Sequence, residues 1–210
     1  SPPIEPIGPE STLEPITIEP GSPIPPTEAE LAEGQGGQQA PAGEGELYFA
    51  QTGHNLGKPF LDTWTMLGGL ETFGAPISEL RYIGDVVESH QTFETMTFRY
   101  DPDVPYELRI QGLALDDRTV RTILGGDPPA TAPATPSGEI GAYWQSHGGE
   151  LILGRPLAEP VTRNGTTTQV FANAVIDQGA NGSIGLRRLG RQWTIDNGLE
   201  GNEAFVPAPP

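Results

Sequence analysis

The chain contains 210 residues, including 28 Gly and 23 Pro, a proportion at which part of a sequence is expected to be of low complexity. Its formal net charge of -17 argues against nucleic acid as a partner, because attraction to phosphates depends on Lys and Arg. No cysteine is present, which excludes disulfides, thiolate metal sites and cysteine nucleophiles. No stretch approaches the roughly 18 apolar residues of a membrane span, so we expect none.

Residues 1–33, which we call the arm, are predicted to be extended. Proline recurs every few residues, and it blocks helices and interior strands. The first 46 residues carry nine Glu and no Lys or Arg, a composition that also suits a disordered spacer. Large aliphatic side chains favour a contact role, because a spacer has no use for them. The residues predicted to make these contacts are Ile4, Ile7, Leu13, Ile16 and Ile18.

Residues 34–46 are rich in Gly and Gln and are predicted to be a flexible linker. A first structural unit, which we call the first repeat, is predicted over residues 47–126. Its first strong signal is a helix that is expected to begin at Pro59 and to end at Gly68. The apolar face of that helix consists of Phe60, Leu61, Trp64 and Leu67.

A second repeat is predicted over residues 138–196, between a Pro/Thr/Ala linker at 127–137 and a C-terminal tail at 197–210. The stretch WTMLGGLETFGAPISEL, from Trp64, aligns with WQSHGGELILGRPLAEP, from Trp144. The second helix is expected to start after Ser137 as its N-cap and to stop at Gly148. Its apolar face consists of Ile140, Tyr143, Trp144 and His147. The matched positions that we expect to form a repeat core are Trp64 and Trp144, Gly74 and Gly154, and Pro76 and Pro156.

Each helix is followed by the signals of a β-hairpin. The stretches VVESHQTFETMTFRY and TTTQVFANAVID are rich in β-branched and aromatic residues and share a Gln-x-Phe motif. They follow turn signals at Gly84-Asp85 and Asn164-Gly165. A further strand or helix entry is predicted where LRIQGLA matches IGLRRLG. The predicted fold class is α+β, with two tandem repeats, each of a short helix plus an antiparallel β-hairpin, and an extended Pro-rich N-terminal arm.

The combination of a Trp near a helix end, Gly-Gly, FGAPISE or LGRPLAE, and a hairpin with Gln-x-Phe resembles the LGFP-type repeats of secreted and cell-wall-associated bacterial proteins. YFAQTGH with FLDTW looks like a lead-in variant of exported proteins. The resemblance implies a non-catalytic module that binds cell-wall or other glycan. The second repeat lacks the lead-in, so a ligand site that used Tyr48 or His54 would exist only once.

The start of the chain at Ser1 is what a secreted protein would show after removal of its signal peptide. Together with the resemblance, it leads us to expect an extracellular or cell-surface location in a bacterium.

The sequence contains no motif for catalysis or for metal binding, and we expect no catalytic residue, no metal and no cofactor. Glu79 and Glu159 are the repeat-related carboxylates that glycoside hydrolysis could use, but their position after Gly-x-Pro favours a role in a turn or cap. Calcium could bind at DPDVP or at Asp116-Asp117, although the EF-hand pattern is absent. The three histidines, which occur in no metal-binding spacing, are interpreted as surface or packing residues: His54, His90 and His147.

Two further motifs leave alternatives open. Trp64 and Trp144 could stack on sugar rings, but their place on an apolar helix face favours the core. Asn164 and Asn181 begin sequences that match the glycosylation sequon, and both attachment of a glycan and a chance match are consistent with the motif.

The favoured functional hypothesis is a secreted structural subunit that forms a filament or surface layer, with the arm of one copy docked on the next. An extended arm can leave its own body and add a strand to a neighbour, which gives a homopolymer. The acidic arm is expected to meet a cluster of Arg187, Arg188 and Arg191. The second hypothesis is a module that binds glycan or cell wall on a flexible spacer, and the third is an enzyme such as a glycosidase.

Overall fold

A computed structural model describes residues 45–84, 88–131 and 135–207. The arm lies outside the described residues, with its predicted contact residues Ile4, Ile7, Leu13, Ile16 and Ile18. Most of the 34–46 linker and Asp85 of the first predicted turn also lie outside. The described chain is α+β, with antiparallel sheets and several short helices, so the α+β part of the predicted fold class is confirmed.

The strands form one two-stranded and two four-stranded antiparallel sheets within the described ranges. The hairpin that opens the first repeat consists of β1 (Leu47–Phe49) and β2 (His54–Leu56). The sheet of the first repeat consists of β3 (Arg81–Tyr82), β4 (Ser89–Thr92), β5 (Thr97–Tyr100) and β6 (Ile110–Gly112). The sheet of the second repeat consists of β7 (Val161–Arg163), β8 (Thr166–Val170), β9 (Val175–Gly179) and β10 (Ile184–Leu186).

Three helices accompany each four-stranded sheet. Those of the first repeat are α1 (Leu61–Met66), α2 (Gly69–Phe73) and α3 (Asp117–Leu124). Those of the second repeat are α4 (Gly138–Ser146), α5 (Gly149–Ile152) and α6 (Gly190–Asp196). Single 3-10 turns lie at Tyr106–Leu108 and Glu203–Phe205. The order of helix, short helix, sheet and helix is the same in both repeats.

The Gly-Gly pairs divide each predicted helix from a second, shorter one. Gly68 has φ 106° and Gly148 has φ 93°, a left-handed conformation that side chains disfavour. The first helix therefore stops where the sequence predicted, and the chain re-enters helical geometry at Gly69 or Gly149. Ser137 occupies the predicted N-cap position of α4, but its side chain makes no capping hydrogen bond.

Each predicted hairpin is the centre of a larger sheet. The turn at Asn164-Gly165 forms as expected, with φ of 51° and 78°, and joins β7 to β8. The strand predicted from IGLRRLG is β10, which pairs with β9, and the strand from LRIQGLA is β6, which pairs with β5. The strands that the sequence did not predict are β3 and β7, which are too short to show a recognisable alternation.

The two repeats share one hydrophobic core. Phe49, Trp64 and Phe98 of the first repeat belong to the same buried cluster as Ile152 and Phe171 of the second. A smaller cluster joins Val120 of α3 to Val170 of β8 and to Leu189. Burial of this shared surface means that each repeat completes the core of the other.

The segment that follows the last strand of each sheet forms a backbone hydrogen bond with the other repeat. After β6, the Leu115 N–H donates to the Ala172 carbonyl oxygen at 2.8 Å, and after β10 the Leu189 N–H donates to the Thr95 carbonyl oxygen at 3.3 Å. Ala172 and Thr95 lie in the tight turns between the central strands of the opposite repeats. The exchange is therefore reciprocal, as in an internal two-fold arrangement.

Candidate functional site

A cleft in the first repeat holds one residue of β2 by its main chain. The Asn55 N–H donates to Glu79 Oε1 at 3.1 Å, and the Asn55 side-chain Nδ2 donates to the same oxygen at 3.4 Å. Gln91 Nε2 donates to the Asn55 carbonyl oxygen at 2.6 Å and to the Ser78 carbonyl oxygen at 3.0 Å. Glu79 and Gln91, which we call the clamp, thus bind both main-chain groups of a single extended residue.

The chain positions the clamp through its repeat motifs. Gln91 is the Gln of Gln-x-Phe, and two residues later Phe93 forms a β-bridge with Pro76 of the Gly-x-Pro turn. The Ser78 Oγ accepts from the Thr92 N–H at 2.9 Å, which fixes the turn beside β4. Glu79 follows directly, so its carboxylate faces the amide of Gln91 across the cleft that Asn55 fills.

His54 lies beside the clamp and is only 2% exposed. Its Nδ1 is 3.5 Å from Glu79 Oε1, which is too poorly placed for a hydrogen bond, and Nδ1 has no other partner among the described residues. Burial lowers the pKa of His54 and outweighs the opposing effect of the Glu79 carboxylate. His54 is therefore a neutral packing residue at neutral pH, as the sequence interpretation expected.

The C-terminal segment covers the other side of Glu79. The Glu79 N–H donates to the Ala204 carbonyl oxygen at 2.7 Å, and the guanidinium of Arg81 lies 5.5 Å from the ring centre of Phe205. Burial lowers the pKa of Arg81. In the first repeat, both the main chain and the side chain of Glu79 are thus occupied by the chain itself.

The corresponding residues of the second repeat are Glu159 and Gln169. Gln169 is buried, and its Nε2 donates to the Ala158 carbonyl oxygen at 3.2 Å, as Gln91 does to Ser78. Glu159 is exposed, and within the described ranges neither its N–H nor its carboxylate has a hydrogen-bond partner. An open pocket of about 270 Å³ lies here, lined by Glu159 and Gln169 together with Ser137, Glu139 and Gln178.

The repeat-core residues occupy equivalent positions in the two repeats. Trp64 Nε1 donates to the Gly74 carbonyl oxygen at 3.1 Å, and Trp144 Nε1 donates to the Gly154 carbonyl oxygen at 2.9 Å. Pro156 forms a β-bridge with Phe171, as Pro76 does with Phe93. The matched residues are therefore structural.

Both tryptophans pack against the core as expected, but they are buried to different extents. Trp64 is 1% exposed, whereas Trp144 is only partly buried. Phe49 of the lead-in hairpin packs edge-on against Trp64, with ring centres 5.6 Å apart. The second repeat has no such hairpin, and this explains why its tryptophan remains partly open.

The predicted Arg cluster is largely engaged in salt bridges with the body of the chain, within the second repeat for Arg187 and across to the first repeat for Arg188. Arg187 makes a two-pronged salt bridge with Asp177, with Nε–Oδ2 at 2.7 Å and Nη2–Oδ1 at 2.6 Å. Arg188 pairs with Glu94 at 3.1 Å. Arg191 is exposed and contacts no acidic side chain among the described residues. The three arginines therefore do not present one common surface for an acidic arm.

The carboxylates considered for calcium binding have structural partners. Asp116 caps α3 by accepting from the Arg118 N–H at 2.7 Å, and Asp101 accepts from Arg99 and from the Asp103 N–H. No group of three or more His, Asp or Glu with metal-site geometry occurs in the described part of the chain. Glu79 and Glu159 lie in separate clefts, and one of them is already bound by Asn55.

Both sequon asparagines lie in exposed turns. Asn164 is in the β7–β8 turn, and Asn181 accepts from the Ser183 hydroxyl at 2.7 Å in the β9–β10 turn.

The functional part that sequence reasoning missed is the role of Asn55 and of the Gln in Gln-x-Phe. The repetition of Gln91 and Gln169 was visible, but a buried Gln in a strand gives no sign of what it binds.

Across the described ranges, no helix has the length and apolar character that crossing a membrane requires. No protein-family model matches the chain, and no curated protein is significantly similar to it.

Proposed function

We propose that the chain is a non-catalytic structural subunit that assembles with its own copies into an extracellular filament or surface layer, with the arm of one copy docked on the next. The observation that carries this proposal is the first-repeat cleft, in which Glu79 and Gln91 bind both main-chain groups of Asn55. A fold that grips an extended segment by its backbone is suited to strand-mediated assembly.

The arm has the physical properties that such assembly needs. Burial of Ile4, Ile7, Leu13, Ile16 and Ile18 at ~1.5 kcal/mol or more each gives a gross gain of at least about 7 kcal/mol. Ordering a flexible segment costs conformational entropy, but the prolines of the arm have already restricted the free chain. The high proline content therefore supports docking by preorganisation.

The resemblance to LGFP-type repeats supports an extracytoplasmic bacterial location and a role without catalysis. Both are part of the proposal. The engagement of Glu79 by Asn55 and of Asp177 by Arg187 is consistent with a role without catalysis, because these carboxylates stabilise the fold.

Deletion of residues 1–33 tests the proposal. We expect full-length chains to assemble, as seen by negative-stain microscopy and sedimentation, and the deletion variant to remain a folded monomer. A full-length variant with the five arm aliphatics replaced by Ser is the matched control for length and charge, and it should also stay monomeric. Assembly of the deletion variant at the same concentration as the full chain would overturn the proposal.

A second candidate is binding of cell-wall or other glycan, which the exposed aromatic residues favour. Tyr82 is 68% exposed and Tyr106 is 80% exposed, with the Arg109 guanidinium 5.7 Å from the Tyr106 ring centre. Flat aromatic faces of this kind can stack on sugar rings. Co-sedimentation with purified cell wall tests this candidate: a Tyr82→Ala/Tyr106→Ala variant should lose binding, while the arm deletion should retain it.

A further inference from the structure

The clefts of the two repeats are built alike but are filled differently. In the first, the clamp holds Asn55, and the Glu79 N–H is bonded to Ala204. In the second, Glu159 and Gln169 stand at the same positions relative to the Pro–Phe bridge, but no described residue takes the place of Asn55. The second cleft therefore has the groups that bind an extended residue and lacks that residue.

The open groups define what would bind there. Gln169 uses one Nε2 hydrogen on the Ala158 carbonyl oxygen, which leaves the second for another acceptor. Glu159 offers carboxylate oxygens, which accept but do not donate. An extended residue presents its N–H and its carbonyl oxygen on the same side of the strand, as Asn55 does opposite Tyr48. The ligand class is thus a main-chain amide of an extended polypeptide, and the residue bound cannot be proline.

We propose that this cleft, formed by Glu159 and Gln169, binds Thr17 of the arm of a neighbouring copy. The Thr17 N–H would donate to Glu159, and its carbonyl oxygen would accept from Gln169. The identity of the occupant rests on the proposed function, whereas the ability of the cleft to bind an extended chain rests on the comparison with Asn55.

The sequence of the arm selects the segment Ile16-Thr17-Ile18. The residue in the cleft must carry an N–H and should not be acidic, because Glu139 and Glu159 both line the pocket. Ile16-Thr17-Ile18 is an uncharged, proline-free run made entirely of β-branched residues, which favour extended backbone. The run Ser11-Thr12-Leu13 is also uncharged and proline-free, but only one of its three residues is β-branched.

Charge distinguishes this cleft from the Arg cluster as the acceptor of the arm. The first 46 residues carry nine Glu, and the cleft itself is acidic. Salt screens this repulsion, so higher ionic strength should strengthen docking in the cleft. Docking on Arg188 and Arg191 would instead weaken as salt is added.

The experiment measures the lowest concentration at which full-length chains assemble, by light scattering. Glu159→Ala and Thr17→Pro should each raise this concentration by about tenfold, the loss expected for a hydrogen bond to a charged group. The double variant should be no worse than either single one, because both changes remove the same contact. Glu159→Gln, which keeps an acceptor oxygen, should retain most of the assembly.

Matched controls separate a binding defect from a folding defect. Thr12→Pro makes the same change elsewhere in the arm and should leave the assembly concentration within about twofold of the parent. Glu79→Ala alters the filled clamp and should lower the melting temperature of the unassembled chain. Glu159→Ala, by contrast, should leave that temperature unchanged.

The outcomes are distinct. If arm deletion abolishes assembly but Glu159→Ala and Thr17→Pro do not impair it, the cleft is not the acceptor, although the proposed function stands. Additive effects of the two changes, or assembly that weakens as salt is raised, would also overturn the assignment of the cleft. If arm deletion leaves assembly unchanged, the proposed function fails, and this occupant fails with it.

Discussion

The main-chain N–H of Leu115 donates to the carbonyl oxygen of Ala172 at 2.8 Å, which attaches the end of the first-repeat sheet to the central turn of the second repeat. The backbones of the two repeats approach each other closely here and at the corresponding contact of Leu189. A Cβ added to Gly112 would lie 1.9 Å from the Ile152 carbonyl oxygen, and one added to Gly190 would lie 1.7 Å from the Phe93 carbonyl oxygen.

Gly112→Ala and Gly190→Ala should therefore each destabilise the fold by roughly 3 kcal/mol, because the backbone that they meet cannot give way as a side chain can. Gly185→Ala is the matched control, since a Cβ at Gly185 in β10 meets nothing within 4 Å. Urea unfolding followed by Trp fluorescence measures the free energies. If all three variants unfold alike, the close contact between the repeats is wrong.

The two repeat tryptophans should differ in their contribution to stability. Trp64→Ala removes a side chain that is 1% exposed and should cost about 3–5 kcal/mol in free energy of unfolding. Trp144→Ala should cost less, about 2 kcal/mol, because that indole is already partly in contact with water. A larger loss for Trp144 than for Trp64 would contradict the protective role of the lead-in hairpin.

Much of this arrangement could be predicted from the sequence. The rest could not be predicted, and the reasons are physical. The alignment of Trp64 with Trp144 and of the Gly-Gly pairs located both helices and their ends, because helix periodicity and glycine stops are local signals. The exchange of Leu115 and Leu189 between repeats is a long-range pairing, on which local patterns carry no information. The clamp was missed for the same reason, since Asn55 and Gln91 are 36 positions apart.

Mild acidification should destabilise the folded chain. Burial lowers the pKa of His54 despite Glu79, and burial likewise lowers the pKa of His90 despite its contact with Glu88. A histidine whose folded pKa is lowered adds stability above its unfolded pKa of about 6.5, and this stability is lost as the pH falls below that value. The melting temperature should therefore decline between about pH 6.5 and pH 5.

The variant His54→Gln/His90→Gln should flatten this decline, as measured by differential scanning calorimetry across the same pH range. His147→Gln, which alters the histidine that stacks on Tyr143, serves as a control for the loss of one imidazole. A melting temperature that rises on acidification would show that the buried histidines are stabilised in their charged form.

A second pH effect should appear at lower pH. Burial alone would raise the pKa of Asp177, but hydrogen bonds from Arg187 and Thr168 and the charge of Arg187 outweigh it, so the pKa is lowered. The stability from this carboxylate is present above its unfolded pKa and is lost as the pH falls through its folded pKa. Asp177→Asn should therefore cost roughly 1–2 kcal/mol at neutral pH.

The same substitution should have little effect on unfolding at a pH below both pKa values, because the carboxylate is then protonated in the parent chain as well. Chemical denaturation at the two pH values gives the comparison. An equal loss at both would mean that the Asp177–Arg187 bridge contributes through packing alone.

Glu79 joins the two ends of the described chain. Its carboxylate holds Asn55 of the opening hairpin, and its main-chain N–H holds Ala204 close to the last described residues. The opening hairpin and the C-terminal segment are therefore both anchored at this one glutamate. A shift of the turn that carries Glu79 would therefore disturb the opening hairpin and the C-terminal segment together.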